Sequence, residues 1–172
     1  MTRPRAVGLG LLLAASLAAA CGGDNALSGS VSEVFPLDVS RVEIARNNEA
    51  FQVTYFNNRG LFLDVVARVS VYVNDVDPDG GWRRPISLVG ITDGGVERCV
   101  VAHAPGGEPV RLLPPVKNGS LELSSGGEPG QVATGRFSIL FADEGGDLAA
   151  NGRTLNGNFL GVAVDAGFGA LP

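Results

Sequence analysis

The sequence predicts a single all-β domain, and three observations carry that expectation. Apolar residues recur with period two rather than 3.6. Glycine is abundant, at 25 of 172 residues. Breakers rich in Gly and Pro cut the chain into short segments, and none of these sustains a helical pattern. An antiparallel β-sandwich of about eight or nine strands is expected, because short strands recur between Gly-rich turns. A small closed β-barrel is the alternative, which a long strand over residues 61–73 would suit.

Each element follows from a local pattern. Residues 29–35 and 39–44 read as the first two strands. Phe51, Val53 and Tyr55 then alternate with Gln52 and Thr54, and Asn57-Asn58-Arg59-Gly60 supplies turn chemistry. From Leu63, the residues Val65, Ala67, Val69, Val71 and Val73 line one face of a long second strand, with Asp64, Arg68 and Ser70 on the other. This is the strongest hairpin signal in the chain, with β-branched residues where strands favour them. Further strands are expected at residues 85–91, 97–104 and 120–124, separated by Asp93-Gly94-Gly95, Pro105-Gly106-Gly107 and the Gly-rich stretch 125–130. Residues 112–116 are extended, since Pro114 and Pro115 fix φ and remove donors. Near the carboxyl end a short echo occurs. Gly135-Arg136-Phe137 precedes Asp143, and Gly157-Asn158-Phe159 precedes Asp165 at the same spacing. These read as two antiparallel strands whose glycines mark bends or close backbone approach.

The amino terminus has a different character. Arg3 and Arg5 precede an apolar run from Ala6 to Ala15, and Ala18-Ala19-Ala20-Cys21 closes it. A positive start, a short apolar middle and small residues at the end describe a secretory signal. A membrane span needs about 20 apolar residues, more than this run offers. The cysteine directly after small residues resembles the lipobox of bacterial lipoproteins, with Ala18 where Leu is commonest. The resemblance implies that Cys21 is the lipid-attachment site, carrying a diacylglyceryl group on its sulfur and an acylated amino terminus. Residues 1–20 are then the cleaved signal peptide, 21–28 the lipidated cysteine with a short linker, and 29–172 the β domain. Two or three acyl chains anchor durably where one holds weakly. Gly22 rather than Asp follows Cys21, which by the family's sorting rule favours the outer membrane over the inner. Ala18-Ala19-Ala20 also satisfies ordinary signal cleavage, in which case Cys21 is free or pairs with Cys99.

Charge narrows the partners. The signal takes Arg3 and Arg5 with it and no acids, so the formal charge of −5 becomes −7 in the remainder. Nucleic-acid binding leans on Lys and Arg against phosphate and is not expected. Cys99 sits in the apolar stretch Arg98-Cys99-Val100-Val101-Ala102 and reads as a buried thiol.

Four candidates for chemistry remain. Asp75, Asp77, Asp79 and Gly80 match D-x-D-x-D-G, the opening of many calcium loops, where alternate carboxylates converge on a hard cation. Ile86 stands where such a loop places its bidentate Glu, and Arg83 and Arg84 oppose a cation. Pro78-Asp79-Gly80 is also an ordinary turn signal. Trp82 reads either as a partner contact or as a ring folded over the end of the domain. His103 is the single histidine, with no Cys at metal-ligand spacing and no Gly-x-Ser-x-Gly elbow in the chain. Asn118-Gly119-Ser120 fits a glycosylation pattern. An enzyme is not expected, because no nucleophile–base pair or metal motif is visible. The expected function is a cell-envelope lipoprotein, a membrane-anchored structural or interaction module meeting an envelope protein or polysaccharide. A carrier of a small apolar ligand and a calcium-stabilised adhesion-type module are the alternatives. No cofactor beyond a structural calcium is expected.

Overall fold

A computed structural model describes residues 25–47, 49–59, 62–73, 85–106, 108–125 and 128–165. The chain is all-β. Its strands are β1 (Ala26–Ser28), β2 (Arg41–Arg46), β3 (Ala50–Arg59), β4 (Phe62–Tyr72), β5 (Ile86–Ser87), β6 (Cys99–Ala104), β7 (Arg111–Leu112), β8 (Val116–Ser125), β9 (Val132–Phe141) and β10 (Thr154–Asp165). Short 3-10 turns occupy Ser30–Glu33 and Leu148–Ala150. Among the described residues no helix is long and apolar enough to cross a membrane.

The strands form one curled, half-barrel sheet in the order β5-β8-β9-β10-β2-β3-β4-β6-β7, with β1 added on β10. Among the described residues its pairings are antiparallel except one: Ala163–Asp165 of β10 runs parallel to Ile44–Arg46 of β2. That departs from the wholly antiparallel expectation. β10 is long enough to serve two neighbours, pairing β9 through Val162 and β2 with its last residues.

The β3–β4 hairpin forms where the alternation places it, from Ala50 opposite Tyr72 to Arg59 opposite Phe62, but Asn57, Asn58 and Arg59, expected in the turn, lie in β3. Phe51, Val53, Tyr55, Ala67, Val69 and Val71 are buried in the core. Register shifts on β4 correct the rest of its expected face: Val66 is buried while Leu63 is 45% exposed. Val66 is the inserted residue, and it turns the side chains before it to the opposite side. The strand expected at residues 29–35 is absent too. Gly29 adopts φ 130°, which ends β1, and the chain then makes a 3-10 turn that buries Val31. Residues 26–28, expected in the linker, instead form β1.

The Gly-x-Phe echo explains how the middle of the core packs. β9 and β10 pair so that Phe137 lies opposite Gly157 and Phe159 opposite Gly135. A Cβ on Gly157 would stand 2.5 Å from Phe137 ring carbons, and one on Gly135 would stand 2.5 Å from Phe159 Cζ. Each ring therefore fills the space its partner glycine vacates. Across the core Phe51 meets Phe159 at 5.6 Å and Tyr55 meets Phe137 edge-on at 6.0 Å. Such pairs add about 0.5–1.5 kcal/mol beyond area burial. Tyr55 Oη donates to the Asn158 carbonyl at 3.1 Å, so its buried hydroxyl is satisfied.

Candidate functional site

The outer face of β10 and its neighbours is the most differentiated surface of the described chain. Leu155, Gly157, Phe159 and Ala163 point inward and are buried. Strand alternation therefore turns Thr154, Asn156, Asn158, Leu160, Val162 and Val164 outward. The first three are polar and the last three apolar.

Two cross-strand rows extend the polar half. Ser120, Ser138, Asn156 and Ser28 are consecutive partners across β8, β9, β10 and β1, and Glu122, Arg136, Asn158 and Ala26 form the next row. All but Ser120 line a shallow groove of about 440 Å³. Arg136 Nε donates to Glu122 Oε2 at 2.7 Å. An exposed ion pair of this kind adds little stability, but it holds both groups ready for hydrogen bonding. A neighbouring concavity of about 250 Å³ adds Asn118 and Thr154. The groove thus offers hydroxyls, amides and one ion pair.

A clasp from the amino-terminal segment holds β10 at the junction of its two halves. Asn25 Oδ1 accepts from the Leu160 N–H at 2.7 Å, and β1 then pairs along Asn156–Asn158. At Gly29 the backbones approach so closely that a Cβ would meet the Thr154 carbonyl at 2.2 Å. Ser30 and Thr154 bond reciprocally: the Ser30 N–H donates to Thr154 Oγ1 at 3.1 Å, and the Thr154 N–H donates to Ser30 Oγ at 2.9 Å. Arg153 donates to the Ser30 and Ala149 carbonyls and pairs with Glu33. The chain is therefore fixed to β10 from the fourth residue after Cys21 onward.

At the other end of the N-terminal segment, Phe35 stacks on His103 with centroids 4.6 Å apart and an interplanar angle of 16°. They border a pocket of about 80 Å³ that also includes Asn57 and Asp64, well below the roughly 300 Å³ at which small-molecule sites begin. Asp64 accepts from the Gly106 N–H. Burial holds His103 below its ordinary value; Asp147, Glu108 and Asp64 oppose that shift and Arg111 adds to it. Cys99 is a buried free thiol, pushed up first by burial and then by Glu97.

Of the residues singled out in the sequence, Cys21, Asp75, Asp77, Asp79 and Trp82 lie outside the described residues. Asn118 is exposed on β8. Among the described residues no group of three or more His, Cys, Asp or Glu side chains is placed to hold a metal ion. The polar row and the valine stripe escaped the sequence reading. Their signal, the switch from Thr154, Asn156 and Asn158 to Leu160, Val162 and Val164, emerges only once the inward frame of β10 is known. The chain matches no protein-family model, no curated protein and no solved structure.

Proposed function

We propose that this chain is a lipid-anchored, non-enzymatic interaction module of a bacterial cell envelope, with the outer membrane favoured over the inner. Acylated Cys21 holds it to the membrane, and the polar groove across β8, β9, β10 and β1 meets an envelope polysaccharide or protein. The clasp carries this reading: a short segment after Cys21 is stitched to the strand that forms the groove. A tether this short keeps the groove near the bilayer surface, where envelope polymers lie. In the same reading β5-β8-β9-β10 and β2-β3-β4-β6-β7 are facing layers of a β-sandwich, and the Phe51–Phe159 and Tyr55–Phe137 contacts join them. Those rings occupy the space that a carrier of apolar ligands would need.

Fractionation tests the anchor. Cys21→Ala should move the domain from the membrane to the soluble fraction with its melting temperature unchanged, and retention in the membrane would count against acylation. Co-sedimentation with purified envelope polysaccharide tests the groove. Arg136→Ala should weaken binding and Lys117→Ala, outside the groove, should not; equal binding by both variants would remove the groove from the proposal.

A further inference from the structure

The valine stripe on β10 has no role in the groove. Val162 stands directly opposite Val132, and Ala45 lies beside Val164. Val132, Val162 and Val164 are 52%, 55% and 53% exposed. The solvated face of an antiparallel sheet ordinarily carries polar residues, and a contiguous apolar patch marks a surface that something covers.

Chain length indicates what covers it. Cys21 lies four residues before Asn25, whose side chain is bonded to the Leu160 N–H. Four residues reach at most about 14 Å. Val162 and Val164 lie about 7 and 13 Å along the strand from Leu160. The acylated residue, and with it the lipid surface, is thus within reach of the whole stripe. We infer that Leu160, Val162 and Val164, with Val132, dock on the bilayer that holds Cys21, so that the domain keeps one orientation instead of swinging on its tether. This docking rests on the acylation of Cys21 proposed above. Exposed Glu128, with Arg46 nearby, sits in the loop whose Gly130 N–H donates to the Ala163 carbonyl at 2.7 Å. Charged groups at the rim of the patch oppose deep insertion, so contact is shallow.

Depth-dependent quenching tests it on the acylated protein in phosphatidylcholine vesicles with brominated chains. Val162→Trp serves as reporter in a Trp82→Phe background. Ile91→Trp is the control, since Ile91 is 68% exposed near the β5 edge of the sheet. Flotation with the vesicles and the mass of the amino-terminal peptide are read in parallel. The expected result is lost emission at position 162 and none lost at position 91. Flotation with no quenching at 162, or equal quenching at both positions, would overturn the docking and leave the anchor intact. An unmodified Cys21 with no flotation would remove both. A tryptophan at 162 shielded from water but untouched by bromine would also overturn it. The stripe would then be covered by a second copy if the protein is dimeric, or by residues 166–172 if it is monomeric.

Discussion

Adding one methyl group at Gly157 should destabilise the domain, although in most strands the same change would help. Replacing Gly by Ala removes freedom from the unfolded chain and ordinarily stabilises a strand by about 0.5–1 kcal/mol. Here the new Cβ would meet two Phe137 ring carbons at 2.5 Å and Leu27 Cδ2 at 2.9 Å. Comfortable carbon–carbon contact begins near 3.5 Å, so the ring must retreat by about 1 Å. It has little room to do so, since Tyr55 packs against its other side. Overpacking of this kind costs about 1–3 kcal/mol, and the two close contacts put Gly157 at the upper end, which leaves a net loss of up to about 2.5 kcal/mol after the entropic gain. Urea denaturation followed by far-UV circular dichroism reads that loss as a lower midpoint at constant slope. Trimming the ring with Phe137→Leu should abolish the added cost, so the two substitutions couple by about 1 kcal/mol. Gly135→Ala provides the contrast. Its Cβ also meets the Glu122 carbonyl oxygen at 2.4 Å, so trimming Phe159 should not rescue it. A Gly157→Ala variant as stable as the native protein, or strictly additive costs, would refute the ring-over-glycine packing.

The remaining predictions concern titration, reactivity and metal. Because burial holds His103 low, the unfolded chain protonates first as pH falls below about 6.5. The stability owed to neutral His103 is complete above that value and lost as pH drops through the folded one. Urea midpoints between pH 7.5 and 5, taken in roughly unit steps, should therefore fall more for the native protein than for His103→Phe. Parallel curves would contradict the assignment. For Cys99 the raised value reverses the sign: its contribution is full below about pH 8.5, where the unfolded thiol ionises, and declines above it. In a Cys21→Ala background an aromatic disulfide reagent should label Cys99 only after denaturant is added, and rapid labelling of the native state would show that the thiol is not buried. Since Arg83 and Arg84 follow the carboxylates and Ile86 replaces a ligand, melting should be equal with and without a calcium chelator. A calcium-dependent rise lost in Asp77→Asn would restore the calcium reading.

Period-two patterns made much of the fold legible. Phe51 to Tyr55 and the stretch after Leu63 specified β3 and β4, and the Gly-x-Phe echo identified β9 and β10 as an antiparallel pair. What failed depends on contacts distant in sequence. β1 exists because β10 offers an edge more than 120 residues away, and nothing local in Ala26-Leu27-Ser28 announces a strand. The turn at Ser30–Glu33 replaces the expected strand because Gly29 must pass close to Thr154. The register shift that buries Val66 and exposes Leu63 has no composition signature, since both residues are aliphatic. The groove was hidden for a related reason. Serine and asparagine at alternate positions look like an ordinary solvated face until four strands bring them into continuous rows.

The proposed function depends on the anchor, and intact mass spectrometry of the protein purified from bacterial membranes tests that anchor most directly. The expected result is a chain beginning at Cys21, heavier than its sequence by a diacylglyceryl group and an amino-terminal acyl chain. A chain beginning at Cys21 without added mass, with its thiol free or joined to Cys99, would contradict it.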